Sequence, residues 1–373
     1  MRSYLAYRMI INDRSSTAGA LLGVVAIVFL VGQQLSILFG LLSFMSVLVD
    51  HSEADIWVVS PRTEYADAIS DIPARYIDRL EGFPEILTVD PIIIGSALFK
   101  RPDGGQEPVR IVGIQRPRMT GGPWSFKKGD ITLLAEENVA VVDDIDMNKL
   151  GLNKTGVVTE IGNQSIRIEG ITRGVRGFQG TIIFTTIETA RNIIRMPKGR
   201  YSALLIKLKP NISLENALSK LSIALPEAGV FSSKELSLRT RLFYLTNTGI
   251  GGSFIFSVSI AALVGIVIIA LTLYASILNR ISDFAVLRAL GARRHDVFVI
   301  MISQTMMIAL AGLIIGFTFL AIYLNRIHDS AIPCALPGWV APIHALFTLI
   351  FCMLGASIAI RKSLKADPAA VFR

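Results

Sequence analysis

The sequence predicts an α-helical membrane protein with four transmembrane helices and a large α+β extracytoplasmic domain inserted between helices 1 and 2. Three observations predict it. Four runs, 15–49, 242–279, 297–325 and 330–360, hold no Lys, Arg, Asp or Glu in a chain that is 52% hydrophobic, and about 20 helical residues suffice to cross a hydrocarbon core about 30 Å thick. Between the first and second runs lie residues 50–241, with ordinary charge density and a length suited to one or two folded units. That segment carries 25 Lys and Arg against 24 Asp and Glu, so nearly all of the chain's formal net charge of +8 falls on the remainder.

The basic excess sits in three places: Arg2, Arg8 and Arg14; Arg280, Arg288, Arg293 and Arg294; and Arg361, Lys362, Lys365 and Arg373. All three lie on one side of a four-span protein, so the positive-inside rule puts the termini and the 280–296 loop in the cytoplasm and the large domain outside. Topology accounts for the surplus charge, and a nucleic-acid partner is rejected.

Taken in order, residues 1–14 form a modestly amphipathic cytoplasmic segment, with Tyr4, Leu5, Met9 and Ile11 among Arg2, Arg8 and Asp13. It is suited to the inner membrane interface, and a frayed terminus is the alternative. The first run, 15–49, is far longer than a signal-peptide core and is expected to be retained. A continuous helix over Ala18–Val49 would measure about 48 Å at 1.5 Å per residue and overshoot the bilayer. The second run, 242–279, overshoots too, because SLRTRLFYLTNTG (237–249) continues a helical pattern upstream. Two such helices would form a stalk for the domain; tilt or a bent connection would also absorb the excess. Helix 3 is expected at 297–325, a short outer loop at 326–342, helix 4 at 343–360 and a cytoplasmic tail at 361–373.

Inside the domain, ADIWVVS (54–60) reads as a strand and PARYIDRLEGF (73–83) as a helix with Pro near its start and Gly near its end. TVDPIIIGSALFK and EPVRIVGIQ flank the turn RPDGGQ. Later, SALLIKLKP (202–210) is a strand, SLENALSKLSIAL (213–225) a helix capped by Ser213, and GVFSSKEL a strand. The segment between these two groups, about 116–200, holds short alternating strands with Gly/Asn turns and reads as an inserted β-rich subdomain.

Much chemistry is missing. There is no G-x-x-x-x-G-K-[ST] phosphate loop, no H-E-x-x-H, Cys-x-x-Cys or G-x-S-x-G, and His51, His295, His328 and His344 are scattered. No metal or cofactor is expected on this chain. The two cysteines, Cys334 and Cys352, are badly spaced for a bridge, so the domain must rest on its own core. Gln33, Gln34 and Gln304 at membrane depth, like His344, read as packing groups.

The stretch between the second and third runs, RISDFAVLRALGARRHDV (280–297), is an ordered short helix in pattern. Ser282 can cap it, Asp283 favours the positive end of its dipole, and Gly291 can end it in the left-handed conformation. Phe284, Leu287 and Leu290 make an apolar stripe set among Arg280, Arg288, Arg293 and Arg294. Composition leaves two uses open: lying on lipid or fitting a groove on a partner protein.

DFAVLRALGARRHDVFV resembles the signature that follows the second membrane helix in FtsX/MacB-like permeases of ABC transporters. IRKSLKADPAAVFR resembles that family's closing segment, and ENVAVVDDIDMNKLGLNKTGVVTEIGNQSIRIEGI its external domain. GIGGSFIFSVSIAALVGIVIIALTLYASILNRISDFAVLRALG and ADIWVVSP are most similar to the DevC-like branch. The resemblance covers nearly the whole chain. One departure is Asp283, where the family usually has Glu.

The resemblance implies a permease subunit working by mechanotransmission, dimeric, in a bacterial inner membrane. Its 280–296 helix would dock on a separate ATPase subunit that carries ATP and Mg, with Phe284 and Leu287 seated in the groove, Asp283 and Arg288 orienting the contact, Leu290 completing the stripe and Gly291 ending the helix. It further implies a periplasmic membrane-fusion adaptor and an outer-membrane channel, with a lipid, glycolipid or amphiphilic peptide exported. Regulation of a cell-wall hydrolase and extraction of lipoproteins are the rival uses of the same architecture.

Overall fold

The computed structural model describes residues 2–12, 14–278, 286, 292–327 and 333–364. The chain forms two compact units, one of residues 1–40 and 251–373, the other of 41–250.

The first unit holds the long apolar helices. Helix α1 (Arg2–Asn12) precedes α2 (Arg14–Met45), and after the second unit come α9 (Ile250–Leu278), α10 (Arg294–Ile327) and α11 (Val340–Leu364). Among the described residues, four stretches are long and apolar enough to cross a membrane: Thr17–Met45, Ile250–Thr272, His295–Ile327 and Val340–Ser357. Three of the four lie inside the expected runs 15–49, 242–279 and 330–360, and the third extends two residues beyond each end of the run 297–325. In lipid there is little hydrophobic drive between helices, so close approach of small residues has to hold them. A Cβ built at Gly265 would stand 2.1 Å from Ile27, one at Gly312 2.6 Å from Val24, and one at Gly316 2.7 Å from Val28. Glycine is what lets α9 and α10 reach α2.

In the second unit, ten strands form one sheet, in the order β12-β1-β11-β3-β4-β9-β6-β8-β5, with β5 (Phe126–Lys128) at one edge and β7 bridging β3 and β8. Strand β1 (Ile56–Val59) lies between β11 (Ala203–Leu208) and β12 (Gly229–Ser232), antiparallel to both. All four β1 residues are buried. Ile56 and Val58 face α4 (Arg75–Glu81) and α7 (Leu214–Ala224), in a core with Tyr76, Leu80, Ala217 and Leu221. Trp57 and Val59 face the other way, into a core with Val47, Val49 and Leu236. Period-two alternation thus places helices on both faces of this half of the sheet.

Strand β3 (Ile86–Lys100) runs 15 residues. Its first half pairs with β11 from Ile86 to Ile92, and its second half pairs with β4 (Gln106–Ile114). The β-rich part expected over 116–200 is present, but it is not built from those residues alone. Strand β9 (Thr181–Thr186) pairs in parallel with β4, and β7 (Val157–Ile161) pairs with the far end of β3. With β6 (Val139–Asp143) and β8 (Gln164–Thr172), the pairing closes into a ring, β3-β4-β9-β6-β8-β7-β3. Inside it pack Ile93, Phe99, Ile111, Val142, Ile166 and Ile183. Local alternation does not disclose that β3 and β4, long enough to outrun β11, supply two staves of this ring.

Three local expectations are corrected. The first rod is not continuous to Val49: α2 ends at Met45, Ser46 leaves helical geometry (φ −113, ψ 9), and α3 (Val47–Asp50) resumes. The second is broken as well, because α8 (Ser233–Asn247) ends before Gly249, whose φ of +75 is left-handed, and α9 begins at Ile250. GVFSSKEL is half strand and half helix: β12 stops at Ser232, whose side chain accepts from the Glu235 amide at 3.1 Å and so starts α8. Ser213 does occupy the N-cap of α7, yet its side chain makes no capping bond.

Candidate functional site

Asp283, Phe284, Leu287, Arg288, Leu290 and Gly291, the residues expected to meet an ATPase, lie outside the described residues, as do Ser282 and the closing residues 365–373. Of the loop's apolar helix only Val286 is described, helical and exposed. The chain is described again from Ala292, and the Asp296 carboxylate accepts from the Arg293 amide at 3.0 Å, an N-terminal capping contact that starts α10.

The second site lies at the root of the 41–250 unit, where the chain enters at 41–50 and leaves along α8. Arg110, on β4, is buried, and its Nη1 donates to Gln179 Oε1 at 3.1 Å while Nη2 donates to the Asp67 carbonyl at 2.9 Å. Gln179 Nε2 donates to the Tyr244 hydroxyl at 3.0 Å, and that hydroxyl donates to Asp67 Oδ2 at 2.8 Å. With Arg110 Nη2 3.6 Å from Asp67 Oδ1, the four side chains form a closed ring. It joins the loop after β1, strand β4, the 177–180 loop and α8.

Burial sets the electrostatics. Desolvation pushes the Asp67 carboxyl up, against the lowering influence of Arg110 and the Tyr244 hydrogen bond. Burial and the Asp67 charge push the Tyr244 phenol up as well, so it stays a donor.

Around the ring, α3 and α8 are tied directly. Arg241 donates from Nε to Ser46 Oγ at 2.8 Å and from Nη2 to Asp50 Oδ2 at 2.6 Å. Tyr65 stacks on Phe243 at 3.9 Å between centroids, and the Ala66 amide donates to Thr240 Oγ1 at 2.9 Å. The Phe178 amide donates to the Phe44 carbonyl at 3.3 Å. The cavity enclosed here, lined by Phe44, Ser46, Asp67, Arg110 and Gln179 among others, is about 20 Å³. Ligand pockets run to about 300–1,000 Å³, so this cavity is too small for a drug-sized ligand. A groove of about 420 Å³ lies at the ends of β11 and β12, lined by Asp55, Lys209, Ser232 and Lys234.

In the first unit, His344 is buried and its Nε2 lies 3.0 Å from the Val28 carbonyl, which only accepts, so that nitrogen carries the proton. This matches its reading as a packing group. Gln304 Nε2 is buried with no hydrogen-bond partner among the described residues. No group of three or more His, Cys, Asp or Glu placed to hold a metal occurs among the described residues.

Two family models cover most of the chain: the MacB-like periplasmic core domain over residues 17–223 and the FtsX-like permease C-terminal over 255–368. The chain belongs to the MacB/FtsX-type permeases of ABC transporters. An ABC transporter permease of Methanocaldococcus jannaschii, MJ1507, is 28% identical over 169 residues, 44% of this chain and 42% of that protein. The chain therefore spans under half the length of that curated relative. The periplasmic region of MacB from Actinobacillus actinomycetemcomitans superposes with a TM-score of 0.40 at 14% identity, over 50% of this chain and 91% of that one. The extracellular domain of the ABC-type transporter YknZ from Gram-positive bacteria gives 0.36 at 13%, over 48% and 99%.

The permease's ring escaped sequence reading. Asp67, Arg110, Gln179 and Tyr244 are far apart in the chain, 177 residues separating Asp67 from Tyr244. The one available signal was Arg110 itself, a charge in the apolar strand VRIVGI.

Proposed function

We propose that this permease works by mechanotransmission. An ATPase on a separate chain, carrying ATP and Mg, binds the 280–296 helix through Phe284 and Leu287, and its closure is delivered along α2 and α9 to the external domain. The observation that supports this most is the root of that domain: α8, by which the chain leaves, is bonded through Arg241 to the entering segment at Ser46 and Asp50 and through Tyr244 to the four-residue ring that reaches the sheet at Arg110. A buried network of charge-assisted hydrogen bonds holds one geometry rather than yielding continuously, which suits a part that passes on displacement.

In this reading the termini and the 280–296 loop are cytoplasmic, the membrane is the inner one, and two copies of the permease pair. The work is done outside, on a lipid, glycolipid or amphiphilic peptide passed to a periplasmic adaptor and an outer-membrane channel, as in the DevC-like branch. The test is co-purification of the ATPase with the permease. Phe284→Asp with Leu287→Asp puts charge into an apolar contact and should abolish ATPase recovery while membrane insertion is unchanged. Undiminished recovery would refute the docking role.

A further inference from the structure

Helix α1 has two faces. At 3.6 residues per turn, Tyr4, Tyr7, Arg8 and Ile11 fall within an arc of about 100°, and Leu5, Ala6, Met9 and Ile10 take the opposite side. The second set is committed: Ala6 is fully buried, and Met9 and Ile10 pack on the cluster holding Val24, Val297 and Met301. The first set points away from the unit, with Tyr4 60%, Tyr7 52% and Ile11 42% exposed.

Chain connectivity fixes the depth at which this outer face lies. The Thr17 hydroxyl donates to the Ile10 carbonyl at 3.1 Å, tying the end of α1 to the first turn of α2. The apolar span begins at Thr17, and residues 14–17 are already helical. The end of α1 is thus held within about 10 Å of the hydrocarbon boundary, at the depth of the headgroup layer. Two tyrosines and an isoleucine match that layer, since tyrosine has an apolar body and a polar tip. Arg8 adds the charge. Its Nε donates to the Tyr4 hydroxyl at 3.0 Å and its guanidinium carbon stands 5.5 Å from the Tyr4 ring centroid, which orients a fork suited to phosphate oxygens.

We infer that the outer face of α1 is a docking surface for anionic phospholipid, with Tyr4 and Tyr7 seated among the headgroups and Arg8 bonded to a lipid phosphate. The side of the membrane that carries the chain's basic excess is the side on which such lipid would be gathered. The surface does not depend on nucleotide coupling.

The test uses the full chain, with Cys334→Ser and Cys352→Ser, in nanodiscs of phosphatidylcholine alone or with phosphatidylglycerol. A fluorophore on Tyr7→Cys should be quenched by headgroup-level nitroxide lipid more than by a water-soluble quencher. Phosphatidylglycerol retained by the protein, read by native mass spectrometry, should fall about fivefold in Arg8→Gln and be kept in Arg8→Lys. Equal retention by the unsubstituted chain and Arg8→Gln would overturn the inference, as would a label reached mainly from water, or one shielded only when the ATPase is added. No nucleotide is used, so failure here leaves the coupling reading standing.

Discussion

The two units of this permease are held together by opposite means. In the 41–250 unit large side chains fill space on both faces of the sheet, with Trp57, Phe99 and Phe184 almost wholly buried. In the other unit the decisive residues at the helix contacts are those with no side chain, Gly265, Gly312 and Gly316, each standing where α2 leaves no room for a methyl group. Water explains the difference. A domain in water gains by removing apolar area from it, whereas helices in lipid gain mainly by approaching closely enough for dispersion and backbone contacts.

The sharpest way to break that contrast is to delete volume in one unit and add it in the other. Trp57→Ala should destabilise the 41–250 unit by about 3–5 kcal/mol, the cost of emptying a large buried site, read by thermal melting of the purified permease. Gly265→Ala adds one methyl, against Ile27, and should cost about 1–3 kcal/mol by overpacking. Its effect should appear as loss of helix association in detergent while the melting of the 41–250 unit stays put. A neutral Gly265→Ala would mean that α9 does not approach α2 closely enough to need glycine there.

The polar ring is the exception within the apolar unit. Tyr244→Phe keeps the ring's shape and removes one hydroxyl, taking away the partner of Asp67 Oδ2 and of Gln179 Nε2 while Arg110 stays bonded to both residues, and should cost about 1–3 kcal/mol. Hydrogen exchange along α8 should quicken before that of β1 or β11.

Asp67→Asn tests the electrostatics. Because burial raises the Asp67 pKa, the native state keeps its proton at pH values where the unfolded chain has lost it. The favourable contribution is therefore full below the ordinary carboxylate range and is lost as pH rises through the native pKa. The stability of the unsubstituted chain relative to Asp67→Asn should be greatest at the acid end and shrink toward neutrality; the opposite slope would show that Arg110 outweighs desolvation. Arg241→Ala should matter least, about 0–1 kcal/mol, since its contact with Asp50 is partly open to solvent.

What the sequence disclosed follows from the range of each interaction. The strands at 54–60 and 202–210 were legible because alternating or continuous apolar residues report burial locally, and the four spans because charge is absent over a bilayer's length. The end of α8 carried a signal in Gly249 that the helical pattern on either side concealed. SSKEL was misread because Ser232 looks like a strand residue until its hydroxyl is seen to cap Glu235. The closing of β7 onto β3 and the meeting of Asp67 with Tyr244 are products of tertiary pairing between segments about 60 and 177 residues apart, and no window along the chain contains both partners. For the expected ATPase contact the motif was readable in Phe284, Leu287 and Gly291, all outside the described residues.

Strand β3 has a last consequence. Its fifteen residues serve both the β11 side and the closed ring, so neither half owns a complete set of partners without it. Pulled between its ends in a force spectrometer, the isolated domain should give way in a single rupture rather than two, because tearing out one half unzips the other.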